Sequence, residues 1–132
     1  MDLHFVWAAL IGALLASLAD WLFAGVLFHD RYQVHPEVWR PGAGAVRSRI
    51  ILAQALALVT SAAFVALAWK TRETELVPAL KLAAMVWLIG PLPLLLANAL
   101  FIKIDPLVTA SHAAGWLVKL LLIAAATAWM IA

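Results

Sequence analysis

Four apolar runs dictate what this chain can become: Leu3–Phe28, Ile50–Trp69, Leu82–Ile102 and Leu107–Ile131. Each comes close to or exceeds the roughly 20 residues that a helix needs to cross the hydrocarbon core of a bilayer. Inside lipid every backbone amide must find its partner within the segment, so runs of this length are helices. Strands are excluded by the length of the runs and by the absence of two-residue alternation. The composition agrees, with 67% of the 132 residues hydrophobic and 12% charged. A soluble domain carries about a quarter of its residues as charges, so most of the outer surface must meet something other than water.

The first run is expected to be a retained helix. Its small residues around Ala13–Ala19 resemble a cleavage site, but no Lys or Arg precedes it and the apolar stretch continues to Phe28. A cleaved signal has a basic start and a shorter core, of about 7–15 residues. Between the runs lie a polar loop (His29–Arg49), a charged link (Lys70–Lys81) and a tight Lys103–Pro106 turn. The reading is one domain over residues 1–132. It is an all-α up-down-up-down transmembrane bundle with helices at about 3–28, 50–69, 78–102 and 107–131, since short connections make neighbours antiparallel.

This topology brings Trp7, Trp69 and Trp129 to one face, where an interfacial aromatic belt is expected. The opposite face carries Arg31, Arg40, Arg47, Arg49 and Lys103, against Lys70, Arg72 and Lys81 on the terminal face. Basic residues mark the cytoplasmic side, which puts loops one and three in the cytoplasm and the termini outside. In the first loop, Pro36, Pro41, Gly42 and Gly44 oppose a long helix. A short interfacial helix around Pro36–Arg40, seated by Trp39, fits there.

Helices in lipid associate through close packing of small residues. Helix 1 offers Ala8–Gly12–Ala16 and Ala9–Ala13–Ser17 at four-residue spacing, and the second and fourth helices are dense in alanine. These are packing surfaces, and the same grooves would suit a second copy or a partner subunit. Helix 3 contains Gly90-Pro91-Leu92-Pro93. Each proline removes a donor and clashes with the preceding turn, so a kink near Gly90 is expected.

A charge inside a spanning helix costs about 2.5–3.5 kcal/mol on insertion scales and usually faces the interior with a partner. At about 1.5 Å per residue, Asp20 lies about 12 Å from the first-loop face, between His112 at about 8 Å and Lys119 at about 18 Å. His112 and Lys119 are seven apart, hence on one helix face with Trp116 between them. Gln54 and Asn98 fall at neighbouring depths, so Asp20, Gln54, Asn98, His112 and Lys119 form a candidate buried polar layer. Such a layer can serve structure alone, with Asp20 and Lys119 neutralising each other. It can also serve a lipophilic or protonatable ligand or a proton path.

The chain has no cysteine, which removes disulfides, thiolate metal sites, iron–sulfur clusters and covalent haem. A haem held by two histidines would need a second histidine at depth, whereas His4, His29 and His35 lie near the surfaces. Neither a metal nor another cofactor is expected. The basic residues are not clustered with aromatics, which gives nucleic-acid binding little support.

Two stretches resemble the small bacterial membrane proteins grouped as domain of unknown function 1761. One is Leu22-Phe23-Ala24-Gly25-Val26-Leu27-Phe28 with Trp39. The other runs from Trp87-Leu88 through Leu94 to Asn98-Ala99-Leu100-Phe101, then His112-Ala113-Ala114-Gly115-Trp116-Leu117-Val118. The resemblance spans nearly the whole chain. The family usually has Trp-Tyr where this chain has Leu22-Phe23, and Asn where it has His112; Asp20 and Lys119 do not look like family features. It implies the fold and carries no activity.

No nucleophile–base pair, metal motif or phosphate-binding loop is present, so an enzyme is not expected. The leading expectation is a non-enzymatic membrane protein that self-associates or joins a larger membrane complex. The alternative is a binder or carrier of a lipophilic or protonatable small ligand, using Asp20, Asn98, His112 and Lys119.

Overall fold

The computed structural model describes residues 3–42 and 46–132, and these fold into four long apolar spans with no strands. Helix α1 (Leu3–Asp20) continues into a wider-wound segment, Trp21–Leu27, so the two form one span. Helix α2 covers Arg47–Thr71, α3 Leu76–Ile89, α4 Pro91–Phe101 and α5 Pro106–Ile131. Helices α3 and α4 make the third span, bent by 25° at Gly90. The bend has the cause the sequence gives it, since neither Pro91 nor Pro93 can donate to the preceding turn.

The ends of the elements follow local chemistry. Helix α2 stops because Arg72 adopts a left-handed conformation (φ 62°), which lets the Glu73 amide donate back to the Ala68 carbonyl at 2.9 Å. The next helix begins at Leu76, earlier than hydropathy alone suggests, and takes in Lys81. Its Pro78 sits in the first turn, where no intrahelical donor is needed. Asp105 caps α5 by accepting the Leu107 amide at 2.8 Å, and Pro106 occupies the first helical position.

The first span is not a uniform α-helix over 3–28. Beyond Asp20 it widens, and the Phe28 amide donates five residues back to the Phe23 carbonyl at 3.0 Å. The first loop then makes two short turns of tight helix, His29–Gln33 and Pro36–Val38. The second is shorter than the interfacial helix expected at Pro36–Arg40. Gly44 of the same loop lies outside the described residues.

Helix α5 is the hub: it packs most extensively against α1 and α3 and also touches α2 and α4. The core lies toward the chain termini and is built from Ala8, Ala9 and Ala16 of α1, Phe64, Val65 and Ala68 of α2, Ala79 and Ala83 of α3, and Leu120, Ile123 and Ala124 of α5. Gly12 sits so close to Ser61 and Ile123 that a side chain there would collide with the Ser61 hydroxyl. Ala8, Gly12 and Ala16 thus face the inside of this chain. Most large apolar side chains on the outside, from Leu3 and Leu14 to Leu94 and Trp129, are exposed. Lipid is the solvent that such a surface requires.

Candidate functional site

Toward the first loop the bundle opens. On α2 every described residue from Ser48 to Leu56 is exposed, and α4 buries none of its residues. Between the end of the first span, the outer half of α2 and the first half of α5 lies a cleft of about 540 Å³. Its wall carries Asp20, Tyr32, Gln54, Thr60, Ser111, His112, Trp116 and Lys119, set among Phe23, Ala24, Ala53, Ala57 and Gly115.

The centre of the cleft is an ion pair. Lys119 Nζ lies 2.9 Å from Asp20 Oδ1 and 3.9 Å above the Trp116 ring. Four-residue spacing brings Ser111, Gly115 and Lys119 to one buried face of α5. Phe23 packs over Gly115 at ordinary contact distance. The two charges differ in environment. The Lys119 side chain is 11% exposed, the Asp20 side chain 51%. Lys119 is a built-in part of the wall, and Asp20 stands on the rim.

The first loop folds over the mouth. Tyr32 stacks on His112 with ring centres 5.5 Å apart, packs against Trp39 at 5.5 Å, and shares a 3.3 Å hydrogen bond with Ser111 Oγ. Burial raises the Tyr32 pKa above its usual range, with the Ser111 hydrogen bond opposing and the Asp20 charge adding to the rise. Tyr32 is therefore a neutral hydroxyl at physiological pH.

The five sequence candidates are thus divided. Asp20, Gln54, His112 and Lys119 share the cleft. Asn98 does not: it is exposed on α4, outside the cleft lining. Gln54 and Asp20 are also exposed, so the group is the lining of an open cleft and not a sealed layer across all four spans. Counting depth along a helix cannot reveal rotation about its axis, and that rotation turns Asn98 outward. Tyr32, Thr60 and Ser111 join the site unforeseen. The Ser111–Gly115–Lys119 spacing was a signal for Ser111; a loop folding back to place Tyr32 leaves no periodic trace.

The loop histidines have other neighbours. His29 pairs with Gln33 at 3.1 Å and His35 with Glu37 at 3.1 Å. Among the described residues no three His, Asp or Glu side chains gather as metal ligands would.

A second cavity, of about 320 Å³, adjoins the cleft through Thr60 and Trp116, which line both. The rest of its wall is Ala63, Phe64, Leu67, Val86, Pro91 and Leu120. Thr60 is its one hydroxyl-bearing residue, and that hydroxyl already donates to the Leu56 carbonyl at 3.0 Å.

Comparison with protein-family models, with curated proteins and with solved structures finds no match.

Proposed function

We propose that this four-span membrane protein is a non-enzymatic binder of an amphipathic small molecule, held in the cleft between the first span, α2 and α5. The observation that carries this reading is the Asp20–Lys119 pair facing open space of about 540 Å³ instead of packed side chains. A pair serving only to register helices has no need of a cavity beside it, whereas ligand sites are concave, mostly apolar and furnished with a few polar groups. An intramembrane ionisable group is a functional candidate by default. The self-association reading has less behind it, because Ala8, Gly12 and Ala16 are occupied by contacts within the chain.

The proposed setting is a bacterial inner membrane with loops one and three on the cytoplasmic side, supported by the bias of Arg31, Arg40, Arg47, Arg49 and Lys103 to that face. Single cysteines at Gln33 and Glu73, labelled by an impermeant maleimide on intact cells, would test it. Label at Gln33 but not at Glu73 would reverse the orientation.

Binding itself is tested by native mass spectrometry of the purified protein titrated with monododecanoylglycerol. The expected result is a saturable one-to-one adduct that is lost in Ala53→Phe, a change at an exposed wall position that fills the cleft without touching the core. Adducts that accumulate without saturation and ignore Ala53→Phe would overturn the reading.

A further inference from the structure

The two adjoining cavities differ in chemistry, and the contrast describes a head and a tail. The larger holds Lys119, Asp20, His112 and Tyr32 as its titratable groups, with further hydroxyls from Ser111 and Thr60. The smaller is walled by hydrocarbon and aromatic carbon. Trp116 stands at their junction with the Lys119 ammonium over its ring.

Resting on the binding reading above, we infer that the cleft selects a single-chain amphiphile with an anionic head. The head takes the place of Asp20 on Lys119, and the chain lies in the cavity between Phe64 and Pro91. The argument is the asymmetry of the ion pair. Lys119 is fixed: its side chain is 11% exposed and its ammonium rests on Trp116. A buried ammonium must keep an anion beside it. Asp20 is half exposed on the rim and can turn into the open cleft, where Gln54 and His112 supply polar neighbours. The cation is therefore the host and the carboxylate its exchangeable guest, an internal stand-in for the ligand's own head. A cationic head would meet Lys119 across the cleft and find Asp20 already engaged. A neutral head could enter but would leave the pair as it is.

The test compares ligands sharing a dodecyl-length chain on the full protein in phosphatidylcholine nanodiscs: dodecanoate, monododecanoylglycerol and dodecyltrimethylammonium, with acetate as a head without a chain. Dodecanoate should bind about tenfold or more tightly than the neutral glyceride, corresponding to about 1.4 kcal/mol, and acetate should not compete with it. Asp20→Asn removes the internal competitor, so it should tighten dodecanoate and leave the glyceride unchanged. Lys119→Gln should erase the preference for the anion. If either single variant fails to fold, the double variant Asp20→Asn/Lys119→Gln leaves no charge pair to bury. It should bind the glyceride normally with no anion preference. Lauroyl lysophosphatidate tells a phospholipid-derived head from a free fatty-acid anion, the tighter of the two naming the source. Equal affinity for all three heads, tighter binding of the cation, weaker dodecanoate binding in Asp20→Asn or full competition by acetate would each overturn the inference. Equal binding of all heads at one saturable site would still leave the binding reading standing; no saturable binding of any chain would remove both.

Discussion

The two halves of this bundle, cut across the membrane, are built on opposite principles. In the half near the termini, alanines, a glycine and the small Ser61 let α1, α2, α3 and α5 approach until the interior is filled. In the half near the first loop, the exposed stretch of α2 parts from the first span and α5, and the cleft between them holds polar and charged side chains. The packed half lets the open half exist. Helix association in lipid depends on close packing because apolar side chains gain nothing by leaving lipid for one another. One end must therefore hold the bundle if the other is to carry a cavity.

That contrast is open to attack by mutation. The largest effect is expected at Gly12. Gly12→Leu drives a side chain into Ser61 and Ile123 and should destabilise the fold by about 3 kcal/mol or more, the upper range for overpacking. The check is thermal unfolding in detergent, with Ala53→Phe in the open half as its counterpart. That exposed position should change stability by about 0.5 kcal/mol or less, as ordinary surface sites do. Equal losses at the two positions would erase the distinction between the halves.

Next comes the ion pair, whose members should not be equivalent. Asp20→Asn strands a buried ammonium, and breaking such a pair costs about 3 kcal/mol when the remaining charge is buried. Lys119→Met leaves only the half-exposed Asp20 carboxylate and should cost clearly less. Unfolding curves of the two variants in matched nanodiscs decide it, and a larger loss for Lys119→Met would reverse the assignment of fixed and mobile charge.

A smaller effect, of opposite sign, is expected in the packed half. Ser61 Oγ is buried with no hydrogen-bond partner among the described residues, so Ser61→Ala should stabilise the protein by about 1 kcal/mol, the order of the cost of leaving such a group unsatisfied. By contrast, Trp87→Phe should lose about 1 kcal/mol, because the indole N–H donates to the Ala113 carbonyl at 2.8 Å and ties α3 to α5.

The smallest change is spectroscopic. Tyr32 is the one tyrosine in the chain, so phenolate absorbance reports on it alone. Its ionisation should appear above pH 10 in the folded protein and return to the ordinary value on unfolding, since burial disfavours the charged form. The sign follows from linkage: a raised folded pKa contributes stability that is complete below the unfolded value and declines as pH climbs through the folded one.

How much of this was legible in the sequence depends on which physical signal carried it. Hydropathy and length carried the four spans, because the membrane permits few alternatives. Proline chemistry carried the bend at Gly90. Depth arithmetic put Asp20 between His112 and Lys119, and the carboxylate does lie 2.9 Å from the ammonium. The same arithmetic placed Asn98 in the group, where the structure does not, because depth fixes one coordinate and rotation about the helix axis another. The openness of the cleft was illegible for a different reason. The alanine density of α2 is continuous through the span, yet it lies close to its neighbours only in its second half. Splaying arises from how whole helices cross, and no residue along the strip announces it.

The widened segment after Asp20 has a consequence for how this span tolerates change. A wide turn is one residue longer than the α-turn it replaces, so Trp21–Leu27 works as a spacer that absorbs an extra position without lengthening the span by a full step. Deleting one residue there would restore a regular helix. The segments on either side would keep their facing, whereas a deletion within the regular turns of α1 would rotate everything beyond it by about 100° and swing Asp20 and the Phe28–Tyr32 stretch away from α5. The register between the membrane-embedded charge and the loop that roofs it is thus buffered by a single residue of slack.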